Sequence, residues 1–243
     1  MLFETEYDLV FGIGGACSCT QILRKCCLQF NTYPFDWLFG TDILTRAKIL
    51  THHYRDFINF KDLEDAGYNN KDKNNLCEVY NNKRNGIVFN HDFAFGKPLT
   101  ETYDAVKEKY DRRIKRQYWQ IKNSKNVLVV YLQIPNDQAE IDDKMLLESH
   151  NILKDAFPEQ NITLLYFYCN HGRKDVFYRK IQENLIRADF DYDAYDPDVP
   201  YAVDNKILQK PFCKLKITRQ FITKKNLYRR YIYLTKCFFR GML

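Results

Sequence analysis

Among the residues able to do chemistry, Cys17 has the most telling surroundings. It closes the run Phe11-Gly12-Ile13-Gly14-Gly15-Ala16-Cys17, where an apolar strand breaks into glycines and then enters a helical pattern. Glycines let the chain turn sharply and bring bare backbone N–H groups toward a ligand, and the helix start adds a partial positive charge. A cysteine at that point has its thiolate stabilised, so its pKa is expected to fall and its nucleophilicity to rise. The same geometry can bind an anion through Gly14 and Gly15 with no chemistry at all, or serve only as a tight strand-to-helix turn. It is not a dinucleotide fingerprint: the third glycine is out of place, and no acidic residue about 20 positions on ends a second strand.

A thiol nucleophile needs a proton acceptor, and Asn90-His91-Asp92-Phe93 offers one. A histidine beside a carboxylate can act as general base with its ring tautomer fixed by the carboxylate. Neighbours on a strand point to opposite faces, however, so Asp92 need not orient His91. Asp36, in Pro34-Phe35-Asp36-Trp37, is an equal candidate, its plain alternative being a cap flanked by two aromatic core residues. Cys169 and His171 end a later strand and form a weaker second pair. Arg112 and Arg113 follow Lys109 by three and four residues, so one of them is placed to face inward and grip a carboxylate or phosphate in bidentate fashion.

No metal site is expected. The eight cysteines contain no C-x-x-C pair, and Cys17, Cys19, Cys26 and Cys27 lack the spacing of a zinc site. Asp189, Asp191 and Asp193 could chelate a cation holding a nucleotide diphosphate, but a self-repelling acidic linker reads the same way and Pro197 and Pro200 favour it. No cofactor is implied.

These groups have to be positioned by a scaffold, and the hydrophobic pattern supplies one. Residues 7–13, 87–90, 127–132 and 163–168 read as strands; 18–28, 102–123, 139–156 and 175–187 read as helices. Continuous apolar strands, each followed by an amphipathic helix, call for a mostly parallel sheet covered on both faces, a three-layer α/β core. Cys17, His91 and the Cys169–His171 pair then all fall at strand ends, the edge where such sheets place their crevices. The expected organisation is an α/β core over 1–188 with a polar loop or insertion at 61–85, an acidic linker at 189–205 and a basic amphipathic helical tail at 206–243.

Charge is divided sharply along the chain. Residues 206–243 carry eleven basic side chains and no acidic one, leaving 26 basic against 31 acidic in the rest, a net of −5 under an overall +6. Ile217, Phe221, Tyr228, Ile232 and Phe239 recur at helical steps among those cations, the pattern of a helix that lies on anionic membrane surfaces. A helix packed on the body with a solvated basic face fits equally well, and nucleic acid is disfavoured because the body supplies no matching basic field. No run of 18 or more apolar residues exists, and the start, with Glu4, Glu6 and Asp8, does not resemble a secretory signal. The expected location is the cytoplasm, with the tail reaching the inner membrane face.

The segments YDLVFGIGGACSCTQILRK, YPFDWLF, VFNHDF and VKEKYDRRIKR, in that order and followed by an apolar strand, resemble a bacterial family catalogued as papain-like cysteine peptidases and often encoded beside genes for surface-polysaccharide synthesis. The resemblance implies Cys17 as nucleophile and His91 as its partner, with Asp36 or Asp92 as third member. For the fold it implies a helical lobe on an antiparallel barrel, whereas the periodicity implies a parallel sheet; the periodicity is taken for the fold and the motifs for the site. The leading expectation is a hydrolase or acyl transferase acting on a small-molecule, glycan or peptide substrate of a surface-polysaccharide pathway. The alternatives are a glycosyl or phosphoryl transferase that binds a nucleotide-sugar phosphate at the glycine turn, and a non-catalytic scaffold at the membrane surface.

Overall fold

The computed structural model describes residues 2–69, 76–133, 140–169, 175–190 and 206–242. In chain order the strands are β1 (Glu6–Tyr7), β2 (Leu9–Gly12), β3 (Leu38–Phe39), β4 (Leu63–Asn69), β5 (Cys77–Asn82), β6 (Val88–Ala94), β7 (Asn126–Gln133), β8 (Asn161–Cys169), β9 (Phe177–Gln182), β10 (Leu185–Phe190) and β11 (Lys216–Ile217). The α-helices are α1 (Cys17–Lys25), α2 (Ile43–Thr51), α3 (Leu99–Lys122), α4 (Asp143–Ala156), α5 (Lys206–Lys214) and α6 (Lys224–Phe239).

The fold is α/β. Its main sheet has the order β2-β7-β8-β10-β9, with β2, β7, β8 and β10 parallel and β9 antiparallel at the edge. The near-continuous apolar run of β7 follows from burial on both faces. Val127, Val129 and Tyr131 face the core shared with α2, α3 and α4, while Leu128, Val130 and Leu132 face the core shared with α1 and α5. A second, antiparallel sheet of order β3-β6-β5-β4 packs Tyr80, Phe89 and Phe93 into the first of these cores.

Three segments differ from the sequence expectation. Residues 175–187 form the hairpin β9–β10 in place of a helix. Asn184 takes the left-handed conformation (φ 60°) that a tight hairpin turn needs. Beyond it, Leu185 and Ile186 enter opposite cores, a period of two that a short mixed sequence hides. In the stretch 61–85, expected as a polar loop or insertion, the described residues form β4 and β5, β4 burying only Leu63 and Asn69, so that backbone pairing rather than an apolar face defines it; residues 70–75 lie outside the described residues. Within the same stretch Asn82 is completely buried, donating to the Phe57 carbonyl (3.0 Å) and accepting from the Arg84 N–H (2.9 Å).

The basic segment is likewise more than an appendage. Leu208 and Phe212 of α5 are completely buried against the main sheet, Ile217 of β11 pairs with Tyr7, and Phe221 meets Trp119 edge-on at 5.6 Å. The expected single stripe from Ile217 to Phe239 is therefore broken, and only α6 carries the surface helix. The expected acidic linker begins with Asp189 and Phe190 inside β10, and residues 191–205 lie outside the described residues. α6 is fastened by Arg230, whose buried guanidinium donates to the carbonyls of Phe212 (3.1 Å), Leu215 (2.9 Å) and Cys26. Beside it, Tyr233 donates to the Cys26 sulfur (3.0 Å), and the Cys213 and Cys237 sulfurs lie 2.9 Å apart.

Hydrogen bonds to a charged donor contribute roughly 1.5–3 kcal/mol each, and the carbonyls left behind lose their partner. Arg230→Ala is therefore expected to lower the unfolding free energy by about 3 kcal/mol in a urea titration. No change in the midpoint would mean that α6 is not held by this contact.

Candidate functional site

The site is built at the carboxyl end of β2. The Ile13 N–H still donates to the Val130 carbonyl of β7 (2.9 Å) before the chain bends through Gly14 and Gly15 into α1. α1 starts on Ala16, which offers no side-chain cap, and no acidic residue stands in its first turn. Its first N–H groups are thus left for another acceptor. Those of Cys17 and Ser18 turn toward the half-buried Cys17 sulfur and favour its thiolate, but burial outweighs them and holds the thiol above its usual pKa. This corrects the expected depression: the helix start helps the thiolate, yet at rest the group keeps its proton. The Ser18 hydroxyl is buried and makes no hydrogen bond among the described residues.

The glycines have a packing explanation. A Cβ on Gly14 would sit 2.4 Å from the Cys19 Cβ and 3.2 Å from the Leu132 nitrogen, and one on Gly12 would sit 2.8 Å from the Cys19 sulfur. They let α1 close onto the sheet, and the Gly14 carbonyl is taken by Arg46 at 2.5 Å. A cradle for a nucleotide-sugar phosphate gains no support from this arrangement.

Asp36 is completely buried behind α1. It accepts from the Thr20 hydroxyl (3.0 Å), the Gln29 amide (2.7 Å) and the Tyr33 N–H (2.8 Å), with Arg24 at 3.7 Å. Because Thr20 lies on the same α1 turn as Cys17, this carboxylate fixes the start of the helix. Burial pushes its pKa up to about 6, against the pull of those hydrogen bonds and of Arg24.

His91 lies on β6, exposed, with its ring 6.2 Å from that of Phe39 on β3. Asp92 points the other way: its nearly buried carboxylate accepts from Lys109 (2.6 Å) and from the Tyr110 hydroxyl (2.8 Å), pinning β6 to α3. Among the described residues no hydrogen bond joins Cys17 to His91, nor His91 to Asp92 or Asp36. What connects the two halves is Arg46 of α2, completely buried, which donates to Gly14 on one side and to Gly40 (2.7 Å) and Leu38 (3.4 Å) on the other. Leu38 pairs with Phe89, two residues before His91.

Of the two arginines, Arg112 is spent outward on Glu108. Arg113 is half-buried over the Tyr110 ring (5.2 Å), with one guanidinium nitrogen buried and without a hydrogen-bond partner among the described residues. Cys169 is buried at the end of β8, while His171 lies outside the described residues. Asp189 is taken by Arg187 (2.6 Å), Asp191 and Asp193 lie outside the described residues, and no metal-binding cluster exists among those described. His150 is buried, its ring held by the Ile162 carbonyl and Gln182. A cavity of about 590 Å³ opens at the opposite, amino-end edge of β8, lined by Leu2, Asn161, Thr163 and Tyr178, away from Cys17.

Sequence reasoning missed Arg46, Thr20 and Gln29. Arg46 was within reach: it stands on the stripe of Ile43, Ala47 and Leu50, where a cation among apolar residues must find partners indoors.

A family profile described as "Putative papain-like cysteine peptidase (DUF1796)" matches residues 8–172, a span that holds Cys17, Asp36, His91, Asp92, Arg112 and Arg113. The chain belongs to this family. It is also 25% identical over 178 residues to an uncharacterized protein of Acanthamoeba polyphaga mimivirus, covering 68% of this chain and 78% of that one. No solved structure matches. Papain-like here does not describe the architecture: the main sheet is mostly parallel and covered on both faces, where the resemblance implied a helical lobe on an antiparallel barrel.

The raised Asp36 pKa has a signed consequence. The folded state binds this proton more tightly than the unfolded chain, so the stabilisation is complete below the ordinary value of 3.8 and is lost as pH rises through about 6. Asp36→Asn is expected to remove about 2 kcal/mol of the stability difference between pH 4 and pH 7, measured by urea unfolding at both. An unchanged pH profile would place the titration elsewhere. Gly14→Ala is expected to cost about 2 kcal/mol, because neither the Cys19 Cβ nor the β7 backbone can yield freely; a neutral result by thermal unfolding would show that α1 has room to shift.

Proposed function

We propose that this papain-like family member is a thiol-dependent hydrolase or acyl transferase with Cys17 as nucleophile. The observation that carries the reading is the Cys17 sulfur at an uncapped helix start, with the Cys17 and Ser18 N–H groups turned toward it. Because burial keeps Cys17 protonated, the reaction needs a base, and His91 is the histidine carried by the strand pair that Arg46 ties to the glycine turn.

In the proposed cycle the imidazole of His91 takes the thiol proton, and the thiolate sulfur bonds to a substrate carbonyl carbon. The carbonyl π electrons move to oxygen, and the helix-start N–H groups stabilise that oxyanion. Collapse expels the leaving group, which takes the proton from His91, and leaves a thioester on Cys17. Water or a second nucleophile then releases the acyl group by the same steps. Asp36 acts as a positioning residue through Thr20, and Asp92 holds β6 rather than the imidazole. Arg113, with its unpartnered nitrogen, is the candidate for gripping a substrate carboxylate. Peptide amides follow from the family description, and a carbonyl-bearing intermediate of surface-polysaccharide synthesis follows from the resemblance in the motifs; the same attack serves both.

Iodoacetamide labelling followed by peptide mass analysis tests the assignment. Cys17 is expected to label ahead of the buried thiols, with half-exposed Cys77 as the internal comparison. Its rate should rise with pH, and His91→Ala should slow it about tenfold or more at pH 7 while leaving Cys77 unchanged. Equal loss at both thiols, or a Cys17 rate indifferent to His91, would sink the pair.

A further inference from the structure

α6 turns Arg230 and Cys237 inward, 3% and 2% exposed. At about 3.6 residues per turn, Tyr228, Ile232 and Phe239 then fall on the far side. Tyr228 is 65% exposed and Phe239 81%, with Tyr231 and Phe238 close behind on one flank. Along the other flank run Lys225, Arg229, Lys236 and Arg240, all exposed, none with an ion-pair partner among the described residues. Next to this face, a groove of about 480 Å³ between α6 and β11 is lined by Leu215, Ile217, Leu227 and Leu234, with Arg219 and Lys224 at its rim.

A large apolar stripe left in water marks a contact surface, and here its chemistry selects the partner. A second copy would bring the same unneutralised cations against these. A long polyanion would meet a body of net charge −5 beyond the segment. A flat anionic surface touches α6 alone, accepts its aromatic and aliphatic side chains at the acyl boundary and its Lys and Arg groups at the headgroups. α6 is too short and too charged to cross a bilayer, and no described helix is long and apolar enough to do so.

We propose that α6 docks the protein on an anionic lipid surface, lying in the interface plane with Tyr228, Ile232 and Phe239 inserted. The segment lies beyond the family match, which ends at residue 172, so the docking is a property of this chain separate from the chemistry at Cys17.

Co-sedimentation of the full chain with phosphatidylcholine vesicles, with and without phosphatidylserine, tests this. Binding is expected only with phosphatidylserine, weakening as salt is raised. Neutralisation of Lys225, Arg229, Lys236 and Arg240 to Gln should weaken it by about fivefold per cation. Tyr228→Ser with Phe239→Ser should reduce it about tenfold or more at unchanged charge. Because all these side chains are exposed, the thermal transition should stay put, and tryptophan emission of a Phe239→Trp variant should shift to the blue on vesicles. Equal binding to pure phosphatidylcholine, no binding to either vesicle, or a charge-dependent dimer or single-stranded DNA complex in place of vesicle binding would each overturn the proposal.

Discussion

One buried guanidinium ties the glycine turn before Cys17 to the strand that pairs with β6. Among the described residues no carboxylate bonds Arg46; its charge is carried by the carbonyls of Gly14, Leu38 and Gly40 and by the Phe35 ring 5.2 Å away. Taking a cation out of water costs several kcal/mol, and burial does pull its pKa down to about 10, yet the group stays charged at neutral pH because the carbonyls replace its hydration. Two glycines make this possible. At Gly14 the missing Cβ lets the turn approach Cys19, and at Gly40, with φ 78°, a Cβ would meet the Gly86 carbonyl at 2.2 Å. The parallel sheet and the antiparallel one are thus joined where the turn before Cys17 meets the strand that pairs with β6.

That junction explains why the carboxylates near the site behave as fasteners. Asp36 spends its oxygens on α1 and the loop behind it, and Asp92 spends its own on α3. A thiol nucleophile on a helix start gains from exact placement more than from an extra charge, since its N–H donors serve an oxyanion only if the helix cannot shift. Burial works in the same direction by a different route. A Cys17 kept protonated at rest is protected from adventitious oxidation, because the thiolate is the oxidisable form.

The sequence was readable wherever one physical signal dominated. The runs at 127–132 and 163–168 are apolar because β7 and β8 are buried on both faces, and the glycines before Cys17 mark the turn from β2 into α1. It was unreadable where local pattern and tertiary context disagree. β4 has almost no buried side chains, so composition alone calls it a loop, and the strand exists through its pairing with β5. β9 and β10 together make a segment long enough to mimic a helix, and only the left-handed Asn184 divides it. In the basic segment the count of charges overrode Leu208 and Phe212, whose spacing of four already described a buried helix. Of the candidate site, the sequence singled out Cys17, His91, Asp36 and Asp92 by residue type and neighbours; the direction in which each carboxylate points was not legible, because it depends on Thr20, Gln29 and Tyr110 arriving from elsewhere in the chain.

Chemistry and architecture separate in this protein. The family description speaks of papain-like peptidases, and the residue types at the proposed site agree with it, but the sheet that carries Cys17 is parallel, with helices on both faces. A thiol at a helix start needs only a strand end, a sharp turn and a second element to bring an imidazole, and a parallel sheet supplies the first two at each of its crossovers. The element that carries His91 here is the small antiparallel sheet, which packs Tyr80, Phe89 and Phe93 into the core shared with α2, α3 and α4. Its burial of Phe89 and Phe93 against the helices fixes β6, and Arg46 ties the glycine turn before Cys17 to β3, the strand that pairs with β6.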